Sequence, residues 1–193
     1  MYLFFDTETT GLPKNWRAPV TDLPNWPRLV QLAWLLYEDE NKLLSSGNYI
    51  IRPNGYTIPK AASFIHGITT EKALSIGVEL DVVMQEFEKL LAVASYVIAH
   101  NISFDENILG AEFLRLGKGQ ALEGKKKICT MLSTTDYCNI DGHYGKKWPK
   151  LSELHYKIFA EDFDDAHNAV MDIKITAKCF WELRRRNILF HGL

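Results

Sequence analysis

Residues 28–38, RLVQLAWLLYE, form an extended run that is largely apolar on both of its faces: Val30, Leu32, Trp34 and Leu36 alternate with Gln31, Ala33, Leu35 and Tyr37. A strand of this kind must be covered on both sides, so the chain has to build a sheet enclosed between two other layers. The neighbouring segments agree. Residues 2–6 read as a buried strand, and LLSSGNYIIRP, ending at Pro53, as a third. The chain therefore opens as a three-strand meander, most economically antiparallel. Between the first two strands lies GLPKNWRAPVTDLPNWP, an excursion long enough to be functional or disordered.

Farther on, the apolar period changes from two to that of a helix. In DVVMQEFEKLLAVA the residues Val83, Phe87, Leu90, Leu91 and Ala94 share one face. SYVIAHN reads as a fourth strand. FDENILGAEFLRLG then reads as a helix with Phe104, Ile108, Ala111 and Leu116 turned inward and Gly117 as its stop. KKKICTM is a fifth strand, and HNAVMDIKITAKCFWELRRR an amphipathic helix striped by Ala169, Ile173, Thr176, Phe180 and Leu183. A meander followed by alternating helices and strands predicts an α/β sandwich around a mixed sheet. The 193 residues are expected to form one domain, 1–193, large enough to bury a core without staples. The three cysteines, Cys129, Cys138 and Cys179, have no zinc spacing and read as reduced thiols. With no long apolar run and no basic-then-apolar start, a cytoplasmic location without membrane contact is expected. The net charge of −2 argues against a protein that coats nucleic acid, but not against an enzyme that meets it locally.

The first strand ends unusually, in YLFFDTETTGLP. Side chains on a strand repeat every second residue, so Asp6 and Glu8 leave the same face and repel one another. They either meet solvent before a turn at Gly11 and Pro13, or hold a divalent cation. Asp105 falls where the fourth strand gives way to a helix, at the sheet end where α/β proteins bind ligands; a carboxylate is also favoured there by the helix dipole. Asp172 immediately precedes Ile173 of an apolar stripe, where an uncompensated charge is costly. His167 lies five positions earlier, about 7.5 Å along the axis and about 140° around it on a regular helix. That offset suits a base beside a metal site.

In the order DTETTG, HNISFD, HNAVMD, these blocks closely resemble the DEDDh exonucleases, the proofreading-subunit-like, DnaQ-like branch of the ribonuclease-H-like superfamily. The pattern D-x-E, then D, then H-x(4)-D is met at Asp6, Glu8, Asp105, His167 and Asp172 over nearly the whole chain. The resemblance implies a three-layer fold with a five-stranded mixed sheet whose second strand is antiparallel to the rest. It implies a 3′–5′ exonuclease releasing nucleoside monophosphates with two divalent cations, Mg²⁺ or Mn²⁺. Asp6 would bridge both ions, Glu8 and Asp172 would complete one site, Asp105 would support the second, and His167 would take the proton.

For the 3′ end, the resemblance points to Thr9, Thr10 and Leu12, and through FIHGIT to Ile65, His66 and Ile68, although both segments also read as simple turns. Asn101 is a candidate for orienting a ligand, while His100 reads as satisfying buried backbone groups. Lys125–Lys127 and GKKWPK, with Trp148 or Trp16 as a stacking surface, either track a phosphate backbone or are merely solvated. The expected partner is a single-stranded DNA or RNA 3′ end, DNA favoured, with a polymerase or another replication or repair protein as a further partner. The competing readings are an exoribonuclease of the same chemistry and a non-catalytic nucleic-acid-binding or polymerase-accessory module.

Overall fold

The computed structural model describes residues 1–119, 121–163 and 169–189. Its sheet contains β1 (Tyr2–Thr9), β2 (Leu29–Asp39), β3 (Lys42–Ile50), β4 (Tyr96–Ala99) and β5 (Lys126–Cys129), in the order β3-β2-β1-β4-β5. Strand β2 runs antiparallel to β1 and β3, whereas β4 is parallel to both β1 and β5. This is the five-stranded mixed sheet expected from the sequence.

The helices are α1 (Lys60–His66), α2 (Thr70–Ile76), α3 (Leu80–Val93), α4 (Ile102–Arg115), α5 (Thr130–Ser133), α6 (Thr135–Cys138), α7 (Leu151–Phe159) and α8 (Ala169–Arg185). One sheet face packs Leu3, Phe5 and Trp34 against Phe87 of α3 and Phe113 of α4. The other packs Phe4, Leu35 and Ile98 against Leu154 of α7 and Ile173 and Phe180 of α8. The apolar strand β2 is buried on both sides because a core lies on each. No helix among the described residues is long and apolar enough to cross a membrane.

Strand β1 runs three residues farther than its apolar run suggests. Thr7 and Glu8 pair with Leu32 and Gln31, and the register shifts between Glu8 and Thr9. Such an irregularity at a strand end re-aims the residues that follow. Helices α1 and α2, seven residues each, lie between β3 and α3. Gly67, at φ 72°, ends the first in a conformation that suits glycine, and the Thr69 hydroxyl accepts the Lys72 N–H to start the second.

The excursion between β1 and β2 is ordered and docked on α4. Arg115 donates to the carbonyls of Leu23 and Trp26, both at 2.7 Å. Fully buried Glu112 pairs with Arg28 and Arg115 and accepts the Leu29 N–H at 2.9 Å. A Cβ on Gly110 would meet Val20 at 2.9 Å, so glycine there lets the loop lie close to the helix.

Candidate active site

Alternation along β1 determines where its acids go. Phe4 packs in the α8-side core while Leu3 and Phe5 pack in the other, so Asp6 and Glu8 follow Phe4 toward α8. Asp172 meets them from the first turn of α8. One ligand oxygen from each of Asp6, Glu8 and Asp172 lies within 4.8 Å of the other two. An all-oxygen set at that separation fits a hard divalent cation.

Asp105 arrives from the opposite face of the sheet. It is 3% exposed, and its Oδ1 accepts the Thr7 N–H at 3.0 Å and the Thr7 hydroxyl at 2.6 Å. Thr7 points to the α4 side because it alternates with Asp6 and Glu8, so a single strand positions acids on both of its faces. This clasp is missing from the sequence reading. His167 lies outside the described residues.

The cluster is strongly repulsive. Burial, then Asp105, Glu8 and Asp172, raise the Asp6 carboxyl well above the ordinary range. Glu8 is pushed up to about 7 by burial and then by Asp172 and Asp105. Asp105 is also pushed up to about 7 by burial, against the two Thr7 hydrogen bonds that favour its charged form.

A carboxyl whose folded pKa is raised binds its proton more tightly when folded. The stability it contributes is complete below the unfolded value and is lost as pH rises through about 7. The metal-free protein is thus expected to melt progressively lower from about pH 5 to about pH 8. Cation binding requires the deprotonated acids, so Mg²⁺ should raise Tm more at the higher pH, by about 5–10 °C at a hundredfold excess over Kd. Melting curves with Mg²⁺ and with chelator check this. A Tm indifferent to Mg²⁺ at both pH values would reject a cation site.

Beside the acids lies a cavity of about 300 Å³. Glu8 and the Thr9–Leu12 turn form one wall, Pro59, Ala62, Ile65 and His66 of the α1 region another, and Phe104 a third. Leu12 is 72% exposed and Ile65 56%, an apolar pair at the rim. The Thr9 hydroxyl donates to the Gly11 carbonyl at 2.6 Å, and the Thr10 hydroxyl accepts the Arg28 N–H at 2.9 Å. These hydroxyls shape the turn, as the turn reading of this segment expects.

His66 Nδ1 accepts the Ile68 N–H at 3.2 Å, which leaves the proton on Nε2. Nε2 is buried and faces the Thr9 backbone, with no hydrogen bond of full geometry among the described residues. Burial lowers the His66 pKa, partly offset by the Thr9 backbone, so the ring is a neutral donor.

One expectation needs correction. Ile68 is 2% exposed and packs with Val30, Ile58, Ala62 and Ala73, so its side chain belongs to the core and not to the cavity. Asn101, at φ 71°, forms the junction into α4. Phe104 is partly buried, packed against the core as its apolar period predicts, and it also forms a cavity wall. Its position directly before the motif aspartate is the sequence sign of that second role. His100 is structural, as expected: Nε2 donates to the Pro149 carbonyl at 2.9 Å, Nδ1 meets the Thr130 hydroxyl at 3.0 Å, and burial holds its pKa down to about 4. Several lysines of the basic clusters are engaged locally, Lys127 with Glu106, Lys146 with Asp136 and Lys147 with Glu153.

Sheet order, strand directions and the acid cluster at the end of β1 define a ribonuclease-H-like α/β protein of nuclease type. The model of the exonuclease family RNase_T matches residues 3–180, and the chain belongs to that family. It is 26% identical over 183 residues to a PolC-type DNA polymerase III of Staphylococcus haemolyticus, covering 93% of this chain and 11% of the polymerase. A PolC-type polymerase of Staphylococcus aureus is 24% identical over 179 residues, again 11% of its length. Among solved structures, Escherichia coli exonuclease I in complex with a dA16 oligonucleotide superposes with a TM-score of 0.75 at 18% identity, over 97% of this chain and 42% of that one. Exonuclease I of Methylocaldum szegediense gives 0.73 at 20% identity, over 96% and 40%. This chain therefore spans about a tenth of the polymerases and about two fifths of the exonucleases that it matches.

Proposed function

We propose that the chain hydrolyses phosphodiester bonds at the 3′ end of single-stranded nucleic acid, DNA in preference to RNA, releasing nucleoside 5′-monophosphates. The observation that carries this reading is the meeting of Asp6, Glu8 and Asp172 within 4.8 Å, beside a cavity of about 300 Å³. Mutual repulsion in the cluster favours cations, and the oxygen donors favour Mg²⁺ or Mn²⁺. Asp6 would hold two ions in common, Glu8 and Asp172 one of them, and Asp105 the other, its orientation set by Thr7. When bound, such ions neutralise the phosphate and acidify a water for attack.

The protein's own groups do the rest. His167 accepts the proton of the attacking water. Leu12, Ile65 and Phe104 enclose the terminal base, and the Nε2–H of His66, released from the Thr9 backbone, donates to an oxygen of the terminal nucleotide. The preference for DNA draws support from the oligodeoxynucleotide complexes of exonuclease I. The PolC-type relatives support a working partnership with a polymerase.

End-labelled single-stranded DNA and RNA of matched sequence, incubated with Mg²⁺, Mn²⁺ or chelator, test the proposal. A descending ladder from the 3′ end of DNA, dependent on metal, is expected. Equal rates on both polymers would remove the DNA preference, and intact substrate in every lane would remove the activity.

A further inference from the structure

Trp16 is 54% exposed, yet it sits on a loop held by several hydrogen bonds. Buried Asn25 staples the loop: its Oδ1 accepts the Asn15 N–H at 2.7 Å, its Nδ2 donates to the Asn15 carbonyl at 3.0 Å, and its own carbonyl accepts the Lys14 N–H at 3.2 Å. Asn15 Oδ1 in turn accepts the Arg17 N–H at 2.9 Å. Trp26, farther along the same loop, is buried and donates its indole N–H to the Pro19 carbonyl at 3.0 Å. One tryptophan thus anchors the loop while the other is presented to solvent. The Trp16 ring centroid lies 5.8 Å from that of Phe104, the aromatic wall of the cavity, with the two planes tilted by 44°. Lys14 and Arg17 flank it, both exposed and neither in an ion pair among the described residues.

A solvent-facing aromatic ring with exposed cations two positions before it and one after it in the chain has the chemistry that takes a nucleobase and its phosphates. Resting on the proposed 3′-end activity, we infer that Trp16 is the stacking platform for the base adjacent to the terminal one, with Lys14 and Arg17 beside its phosphates. Phe104 then separates two base sites, the enclosed one lined by Leu12 and Ile65 and an open one on Trp16. The terminal nucleotide alone does not reach Trp16, whereas any longer strand does. Trp16 is accordingly a substrate-binding residue that favours chains over single nucleotides.

The test compares wild type with Trp16→Leu, which keeps an apolar neighbour for Phe104, and with Trp16→Phe, which keeps a ring. An oligo-dT octamer carrying 2-aminopurine next to its 3′-terminal residue is bound in Ca²⁺, so that fluorescence is read without requiring turnover. Wild type and Trp16→Phe are expected to quench the probe, and Trp16→Leu to leave it bright. With Mg²⁺, Trp16→Leu is expected to raise KM for the octamer about tenfold or more, the loss of one base stack, with kcat nearly unchanged. Its hydrolysis of thymidine 5′-monophosphate methyl ester, whose leaving group is too small to reach the open site, should fall much less than that of the octamer. Equal quenching by wild type and Trp16→Leu overturns the inference, and so does an equal loss on octamer and ester. Absence of hydrolysis by wild type would instead sink the proposed activity, while the quenching would still report on stacking.

Discussion

Asp6→Ala is expected to reduce hydrolysis by at least about a thousandfold, since it removes a carboxylate proposed to bind both ions that stabilise the transition state. The fold should survive. Asp6 faces Ala33 in the β1–β2 ladder, so a small side chain fits the position and the backbone pairing is unaffected. The substitution also removes a carboxyl that burial, Asp105, Glu8 and Asp172 hold well above the ordinary range. The metal-free variant is therefore expected to melt at or above the wild-type temperature near pH 8, and to lose the rise in Tm that Mg²⁺ gives wild type. That combination of equal or greater stability with lost activity and lost metal response distinguishes a ligand from a residue that merely supports the fold. Should alanine prove disruptive, Asp6→Asn keeps the shape and removes the charge. Undiminished turnover by a folded variant of either kind would remove the two-metal proposal.

The features legible in the sequence were those with a period. Two-sided burial of β2 announced a covered sheet, and the step of two from Asp6 to Glu8 announced acids on one face. Asp172 was conspicuous because it adjoins the apolar stripe that packs α8 against the sheet. Periodicity says which face a residue occupies, but not what stands opposite. The Thr7–Asp105 clasp spans 98 positions, and nothing local to either residue marks it. Helices α1, α2, α5 and α6 are each seven residues or fewer, too short for an apolar stripe to repeat. Ile68 shows the same limit, offered by the resemblance as a wedge and found in the core, while Phe104 packs on the core and borders the cavity as well.

His167→Ala is expected to lower kcat at neutral pH by about a hundredfold or more and to flatten the rise in rate on the acid side. The slope alone does not identify the base, because Glu8 and Asp105 are pushed up to about 7, close to the ordinary imidazole value near 6.5. Protonating either acid would also depress the rate, by competing with the cation. The two origins respond differently to metal. Protons and Mg²⁺ compete for the same carboxylate oxygens, so an acid limb set by Glu8 or Asp105 moves to lower pH as Mg²⁺ is raised. A limb set by an imidazole outside the ligand shell keeps its midpoint. At saturating Mg²⁺ the wild-type limb should therefore settle at a metal-independent midpoint, and His167→Ala should remove that limb while its Mg²⁺-induced rise in Tm is retained. A variant that keeps the limb, with a midpoint still sliding as Mg²⁺ increases, would assign the limb to the carboxylates and take the role of base away from His167.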